Sequence, residues 1–595
     1  MKSLFYLNKY LLKYKWLLVL GFVFILATNL FGIFMPKVVN SAIKELQSGL
    51  ILLTGEERGN TTLQDAIIKA SIWLAMLYIG LSVAKGIFLF FTRQTIIVMS
   101  RHIEYDLKNE IYDHYQKLSM GFYRKNNTGD LMNRISEDVS KVRMYLGPAI
   151  MYTANLAVLF VLTLIFMFNK NAELSLYVLL PLPILSVLIY YVSRVINQLS
   201  DKVQKQQSFL STFVQEAFSG IRVLKAYNNQ KPFAERFANE SEIYKEVSMR
   251  LVRVNAFFMP IIIMLIGLST LITVYAGGVY SAGGNDFDAG DIAEFIIYVN
   301  MLTWPFASVG WVTSLVQSAA ASQNRINEFL NEKSDIVDGA DDSERIKGKI
   351  SFTNVSFVYP ESGTEAIKNV SFEIKPGQTL AIIGRTGSGK STIANLTCRH
   401  YDVSDGKILI DDKPIADYQL GSLRNNIGYV PQDVFLFSDS IKNNIALGIN
   451  GDTDDASIYS AAKQADIYSN IMEFPNSFET LLGERGITLS GGQKQRVSIA
   501  RAIVRQPQIL IFDDCLSAVD TQTEKNILNN LKPLMAEKTT IIISHRISSV
   551  KHADLIIVMN EGEIAEMGSH AELIKQKGAY FELYELQASE IENPI

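Results

Sequence analysis

Six long apolar stretches, at residues 16–34, 66–91, 145–168, 174–195, 256–280 and 293–316, constrain this chain more than any other feature. A helix needs ~20 apolar residues to cross the hydrocarbon core of a bilayer. One such stretch fits a buried helix of a soluble protein. Six in succession call for a membrane bundle. Hydrophobic residues make up 48% of the 595-residue chain, which is long enough for two or three domains. The net charge of -4 supplies no concentrated basic surface, so no nucleic-acid partner is expected. The two cysteines, Cys398 and Cys515, both lie in the second half and give no disulfide framework, which fits a reducing compartment there.

Basic residues orient the spans. Lys2, Lys9, Lys13 and Lys15 precede the first; Arg101, Lys108, Lys117, Arg124, Lys125, Arg134, Lys141 and Arg143 follow the second; the segment from Arg194 to Arg253 follows the fourth. The loop 281–291 has no Lys or Arg, and 169–173 has only Lys170. The positive-inside rule therefore predicts that both termini and the two long segments are cytoplasmic. The first apolar run is as long as a full span and has no clear small-x-small site after it, so it reads as an uncleaved span rather than a signal peptide. Residues 103–118 and 198–218 keep helical apolar spacing with charges between, so spans two to five are expected to continue as helices below the bilayer. Lys85 lies inside span two, and two readings stand: a cavity or substrate contact, or an interfacial lysine that snorkels.

After Ser322 hydrophobicity falls, and residues 331–348 are polar and acidic (Glu332, Asp335, Asp338, Asp341, Asp342, Glu344), the composition of a linker. From Lys349 short β-branched runs alternate with helical patterns. Residues 380–383, 508–512, 539–544 and 555–558 read as strands of a largely parallel α/β sheet. The first is followed by Gly384-Arg385-Thr386-Gly387-Ser388-Gly389-Lys390-Ser391-Thr392, a Gly-rich turn opening a helix. Glycines let backbone N–H groups approach a phosphate, the helix N-terminus favours the anion, Lys390 reaches the terminal phosphates and the Ser391 hydroxyl suits Mg²⁺. Asp513 closes an apolar strand, where an unpaired carboxylate would be costly, and its expected place is in the Mg²⁺ shell. Between these elements Leu489-Ser490-Gly491-Gly492-Gln493 opens another helix, a second anion-binding start.

A phosphate loop, this second Gly-rich element and a strand ending in two carboxylates, in that order, resemble the ATP-binding cassette transporters. The six spans resemble their exporter half-transporters. The resemblance implies a six-span helical bundle (residues 1–325) with long cytoplasmic extensions, a linker (326–348), an α/β P-loop cassette with a helical subdomain (349–584) and a tail (585–595). It implies ATP-driven export of an amphipathic or lipidic small molecule (drug, lipid or peptide) by alternating access, in an inner or plasma membrane, with ATP and Mg²⁺ as cofactors. Tyr359 looks like the adenine-stacking aromatic, Gln432 like the Mg²⁺- and water-sensing glutamine, and His545 like the γ-phosphate switch histidine. Ser517 and Asp520 resemble the loop at the dimer interface, and Glu484-Arg485-Gly486 the element that meets the coupling helices. Coupling elements are expected around 122–138 and 220–227. Where the family usually has a water-polarising glutamate this chain has Asp514. Its reach is ~1.5 Å shorter, and misplacement of ~1 Å can cost ~10²-fold in rate. The Leu489–Gln493 surface caps ATP held by an opposite chain, so a second half-transporter is required. Homodimer and heterodimer both stand, with the homodimer slightly favoured. A low-turnover half of a heterodimer, and a channel or regulatory protein on the same scaffold, are the alternative readings; a soluble P-loop or DNA-handling protein is excluded by the spans.

Overall fold

The computed structural model of the chain describes residues 2–54, 61–282, 287–342, 345–449, 451, 454–483, 486–516 and 521–592. These form two compact units. One comprises Met1–Gln116 and Gly129–Glu332, the other Lys117–Thr128 and Lys333–Ile595.

The first unit is helical. Its principal helices are α1 (Lys15–Thr54), α2 (Thr61–Thr92), α3 (Ile150–Lys170), α4 (Ala172–Leu179), α5 (Pro181–Ser219), α6 (Gln230–Ala282) and α7 (Ala289–Asn331). Among the described residues five continuous helical runs are long and apolar enough to cross a membrane: Lys15–Gly49, Gln64–Lys117, Thr128–Lys170, Gln230–Ala282 and Ala289–Asn331. The fourth apolar stretch falls between α4 and α5. Asn171 caps α4 by accepting from the Leu174 N–H at 2.9 Å, and α5 restarts at Pro181, whose ring nitrogen has no hydrogen to give. The 54-residue run Gln64–Lys117 is about 80 Å long at the usual helical rise, far more than a ~30 Å hydrocarbon core. The expected extensions of spans two to five are therefore present as helix.

The most apolar window of Gln64–Lys117 buries none of its residues. Trp73, Met76 and Ile79 are all more than half exposed. In water such a face would be prohibitive; against lipid tails or a second chain it is ordinary. Polar residues turn inward instead. Asn29 donates to Asn155 at 2.9 Å, and the Ser269 hydroxyl to the Val178 carbonyl at 2.6 Å. Asp138 is buried, accepts from Ser322 at 2.8 Å and pairs with Arg325. At the other end of α7, Asp291 is fully buried, with Lys170 at 2.6 Å, Lys44 at 3.2 Å and Asn40 at 2.7 Å. Lys85 rests along Gly32 of α1 and has no ion pair among the described residues.

Helix α7 runs past residue 325 because Ile326 and Phe329 are fully buried, and the two units change over between Glu332 and Lys333. The acidic segment that reads as a linker is bonded into the second unit. Asp338 accepts from the Leu420 N–H at 2.6 Å, Asp341 pairs with Lys413, and the Val337 carbonyl accepts from Arg399 at 2.9 Å.

The second unit has two sheets. Strands β1 (Ile350–Val358), β2 (Glu365–Ile374), β3 (Thr379–Gly384), β4 (Asp405–Ile410), β5 (Lys413–Pro414), β6 (Ile427–Val430), β7 (Ile509–Asp513), β8 (Thr539–Ile543), β9 (Leu555–Asn560) and β10 (Glu563–Gly568) follow one another along the chain. The larger sheet has the order β10-β9-β3-β8-β7-β6 and is parallel except for its β10 edge. Strands β7 and β8 are buried at every position, as their unbroken apolar runs require in a sheet covered on both faces. The smaller sheet, β2-β1-β4-β5, is antiparallel. Helix α8 (Lys390–Thr397) follows β3, and α9 (Gly491–Ile503) packs Val497, Ile499, Ala500 and Ile503 into one of the unit's apolar cores.

Candidate nucleotide site

The carboxyl ends of β3, β6, β7 and β8 meet at one edge of the parallel sheet, the usual place for a ligand in an open α/β fold. Val430 pairs with Phe512, Asp513 with Ile543, and Ile382 with Ile543. This register brings Gln432, Asp513, Asp514, His545 and the loop after Gly384 to the same edge. Gly389 sits just before α8 at φ 97, and a Cβ there would run into the Ala366 carbonyl. Only glycine fits that left-handed, backbone-crowded position.

Lys390 is buried, and its ammonium donates to the carbonyls of Gly384 at 2.9 Å and Arg385 at 2.8 Å. Burial pushes its pKa down, while Asp514 and Asp513 oppose that shift. Ser391 donates to Asp513 at 2.9 Å. Asp513 is itself buried, and its pKa is raised by burial and by Asp514, against the hydroxyl of Ser391, the charge of Lys390 and a hydrogen bond from Tyr429. Ser388 is buried, and its hydroxyl has no hydrogen-bond partner among the described residues. A cradle with an orphaned hydroxyl, an ammonium turned onto its own loop and a desolvated carboxylate fits a phosphate chain with a divalent cation. No group of three or more His, Cys, Asp or Glu suited to a metal occurs among the described residues.

Asp514 is half-buried at φ 44 and donates its N–H to the Ile543 carbonyl at 2.9 Å. His545 is exposed. Its pKa is pushed down by partial burial and by Lys390, with Asp514 opposing. Gln432 is exposed in the loop after β6. The Tyr359 hydroxyl lies 3.0 Å from the Thr392 hydroxyl, joining the aromatic to the first turn of α8.

The remaining expected residues lie apart. Leu489 is buried, whereas Ser490 and Gly491 are exposed. Ser490 and Gln493 form a reciprocal capping box, with N–H to oxygen distances of 2.9 and 3.3 Å. Among the described residues Leu489–Gln493 make no hydrogen bond to the loop 384–392. Ser517 and Asp520, and Glu484 and Arg485, lie outside the described residues.

Sequence reading placed Arg124 in the coupling element expected around 122–138 but missed its contact with two tyrosines. The short helix Met120–Lys125 belongs to the second unit. There the Arg124 guanidinium lies 5.2 Å from the Tyr359 ring centroid, 5.7 Å from that of Tyr401, and 3.5 Å from Glu361. Its basic run pointed to topology, and nothing in the sequence joined it to an aromatic more than 200 positions away. Tyr429, bonded to Asp513, was missed because it reads as an ordinary strand residue.

Residues 18–306 match the ABC transporter transmembrane region and residues 367–517 the ABC transporter cassette. The chain is 37% identical over 525 residues to the uncharacterized ABC transporter ATP-binding protein YknU of Bacillus subtilis (strain 168), covering 88% of this chain and 89% of that protein. It is 34% identical over 575 residues to the probable multidrug resistance ABC transporter ATP-binding/permease protein YheI of the same organism, covering 96% and 94%. The structure of a bacterial Atm1-family ABC exporter with ATP bound is similar at a TM-score of 0.78 and 26% identity, covering 96% of this chain and 99% of that one. A membrane bundle and a nucleotide cassette joined in one polypeptide define a half-transporter. This chain belongs to the ATP-binding cassette transporter family, as an exporter half whose ATPase drives transport across a membrane. Such halves bind nucleotide and work as dimers.

Proposed function

We propose that this chain exports an amphipathic small molecule from the cytoplasmic side of an inner or plasma membrane, with both termini and the cassette cytoplasmic. The observation that carries the reading is the convergence of Lys390, Ser391, Asp513, Asp514 and His545 on one edge of the parallel sheet, with Ser391 and Asp513 2.9 Å apart. A phosphate chain would draw the Lys390 ammonium off the Gly384 and Arg385 carbonyls and take the amides of the loop 384–391. Ser391 and Asp513, with Gln432 through water, would hold Mg²⁺, which supplies charge neutralisation between the terminal phosphates. Asp514 would orient the attacking water, and His545 would hold the γ-phosphate. A base stacked on Tyr359 would share that ring with Arg124, so the short helix Met120–Lys125 is placed to sense nucleotide. The start of α9 at Leu489–Gln493, exposed at Ser490 and Gly491, would cap the nucleotide of a second chain, with Ser517 and Asp520 beside it. The slightly favoured dimer is a homodimer. The multidrug name of one relative and the apolar, aromatic-containing spans support an amphipathic substrate.

The test is ATP hydrolysis by the chain alone, reconstituted in lipid, beside Lys390→Ala. Vanadate-sensitive turnover lost in Lys390→Ala supports an active homodimer. No turnover despite ATP binding, restored only by a second half-transporter, would leave this chain as the low-turnover half of a heterodimer.

A further inference from the structure

A cavity of about 500 Å³ lies within the membrane unit between α5 and α7. Helix α5 contributes Ile189, Ser193, Arg194, Asn197 and Gln198, whose spacing places them on one helix face. Helix α7 contributes Val309, Gly310, Thr313, Ser314 and Gln317, again one face. The helices approach closely because position 310 has no side chain. A Cβ there would stand 2.9 Å from the Ser193 hydroxyl.

The lining is graded. On each helix the earliest residue is apolar (Ile189, Val309) and the last are amides (Asn197, Gln198, Gln317). By the positive-inside orientation proposed above, both helices run from the outer to the cytoplasmic side. The apolar end of the cavity thus faces the bilayer interior, and the polar end lies at the cytoplasmic interface. Among the described lining residues Arg194 is the one that carries a charge, and none is a carboxylate. It makes no ion pair or hydrogen bond among the described residues. A guanidinium at the cytoplasmic mouth of a cavity can meet an anionic group that enters there. Its planar fork suits phosphate or carboxylate.

We infer that this cavity holds the head of an anionic amphiphile, with Arg194 on the phosphate or carboxylate, the amides and hydroxyls on the remaining oxygens, and the tail past Ile189 and Val309. The inference rests on the exporter reading and names the substrate class for it.

The test measures equilibrium binding of radiolabelled dodecyl phosphate to the full chain in phosphatidylcholine nanodiscs without nucleotide. Dodecyltrimethylammonium and inorganic phosphate serve as competitors. The expected result is that dodecyltrimethylammonium and inorganic phosphate each compete at least about tenfold more weakly than unlabelled dodecyl phosphate. Arg194→Gln should weaken binding about tenfold, with Arg194→Lys between the two. Equal competition by the cationic amphiphile, or unchanged binding in Arg194→Gln, overturns the proposal. Equal competition by inorganic phosphate also overturns it, in favour of a free-anion site. If Arg194→Gln fails to fold, the competitor series on the unaltered chain still decides. ATP turnover in the same discs is read separately. Turnover without binding removes this inference alone, and binding without turnover counts against the hydrolytic reading alone.

Discussion

At the scale of the residue, the site turns on one carboxylate and one imidazole. Asp514 stands at φ 44, in the left-handed region where aspartate is tolerated better than longer side chains. Asp514→Glu should gain reach toward an attacking water and lose backbone comfort. The expected outcome is faster vanadate-sensitive ATP turnover together with a destabilisation of about 1 kcal/mol, read as a lower Tm. Unchanged or slower turnover would show that reach does not limit this site. For His545 the sign is set by partial burial, and Lys390 adds to it. Partial burial and that ammonium hold it below the ordinary 6.5, so it is neutral at pH 7 and gains its proton only as pH falls below that value. In the same window the unfolded chain binds the proton first, so His545 draws stability down as pH falls. Asp514→Asn removes the charge that favours the imidazolium, so it should move the His545 titration lower still. Histidine NMR would follow it, and an upward shift would contradict the assignment.

At the scale of the element, two devices carry separable predictions. The Ser490 capping box satisfies the first turn of α9, so Ser490→Ala should cost about 1 kcal/mol of cassette stability. If the same hydroxyl also caps a partner's nucleotide, turnover should fall far more than that loss explains; a loss of stability alone would leave the cap as its whole role. Asp138 is buried and accepts from the buried Ser322 hydroxyl and from Arg325, whose side chain is half-exposed. Asp138→Ala should cost about 1–3 kcal/mol in thermal unfolding of the membrane unit, chiefly by leaving the Ser322 hydroxyl without its acceptor, and much of it should be recovered in Asp138→Ala with Ser322→Ala. Legibility differed between elements for physical reasons. Strands β7 and β8 were readable because strands buried on both faces need unbroken apolar runs. The antiparallel sheet was not, because β1 and β2 pair through repeated register shifts near Phe352, Val355 and Phe357 that break the alternation. Span four was read as continuous, since composition does not record that Leu180 and Pro181 divide it. The strand, Gly-rich turn and helix around 384–391 were legible, because a turn of that geometry demands glycine at fixed positions. The Arg124 contact was not, because it is made by tertiary proximity alone.

At the scale of the whole molecule, the apolar face of Gln64–Lys117 and the exposed start of α9 leave the chain incomplete by itself. Turnover per chain should therefore rise with protein density in the membrane and saturate once pairs form, measured by diluting the protein into excess lipid. Turnover that stays proportional to chain number down to single copies per vesicle would contradict a dimeric site. The assignment of Lys117–Thr128 to the cassette unit has a consequence for biosynthesis. Arg124 leaves the ribosome 237 residues before Glu361. At ~5–20 residues per second, its dock is synthesised about 12–50 s later. During that interval the nascent chain holds membrane helices whose connecting hairpin has no surface to rest on. A polypeptide interrupted before the cassette would keep that hairpin bare, an early mark by which quality control could tell an unfinished transporter from a finished one.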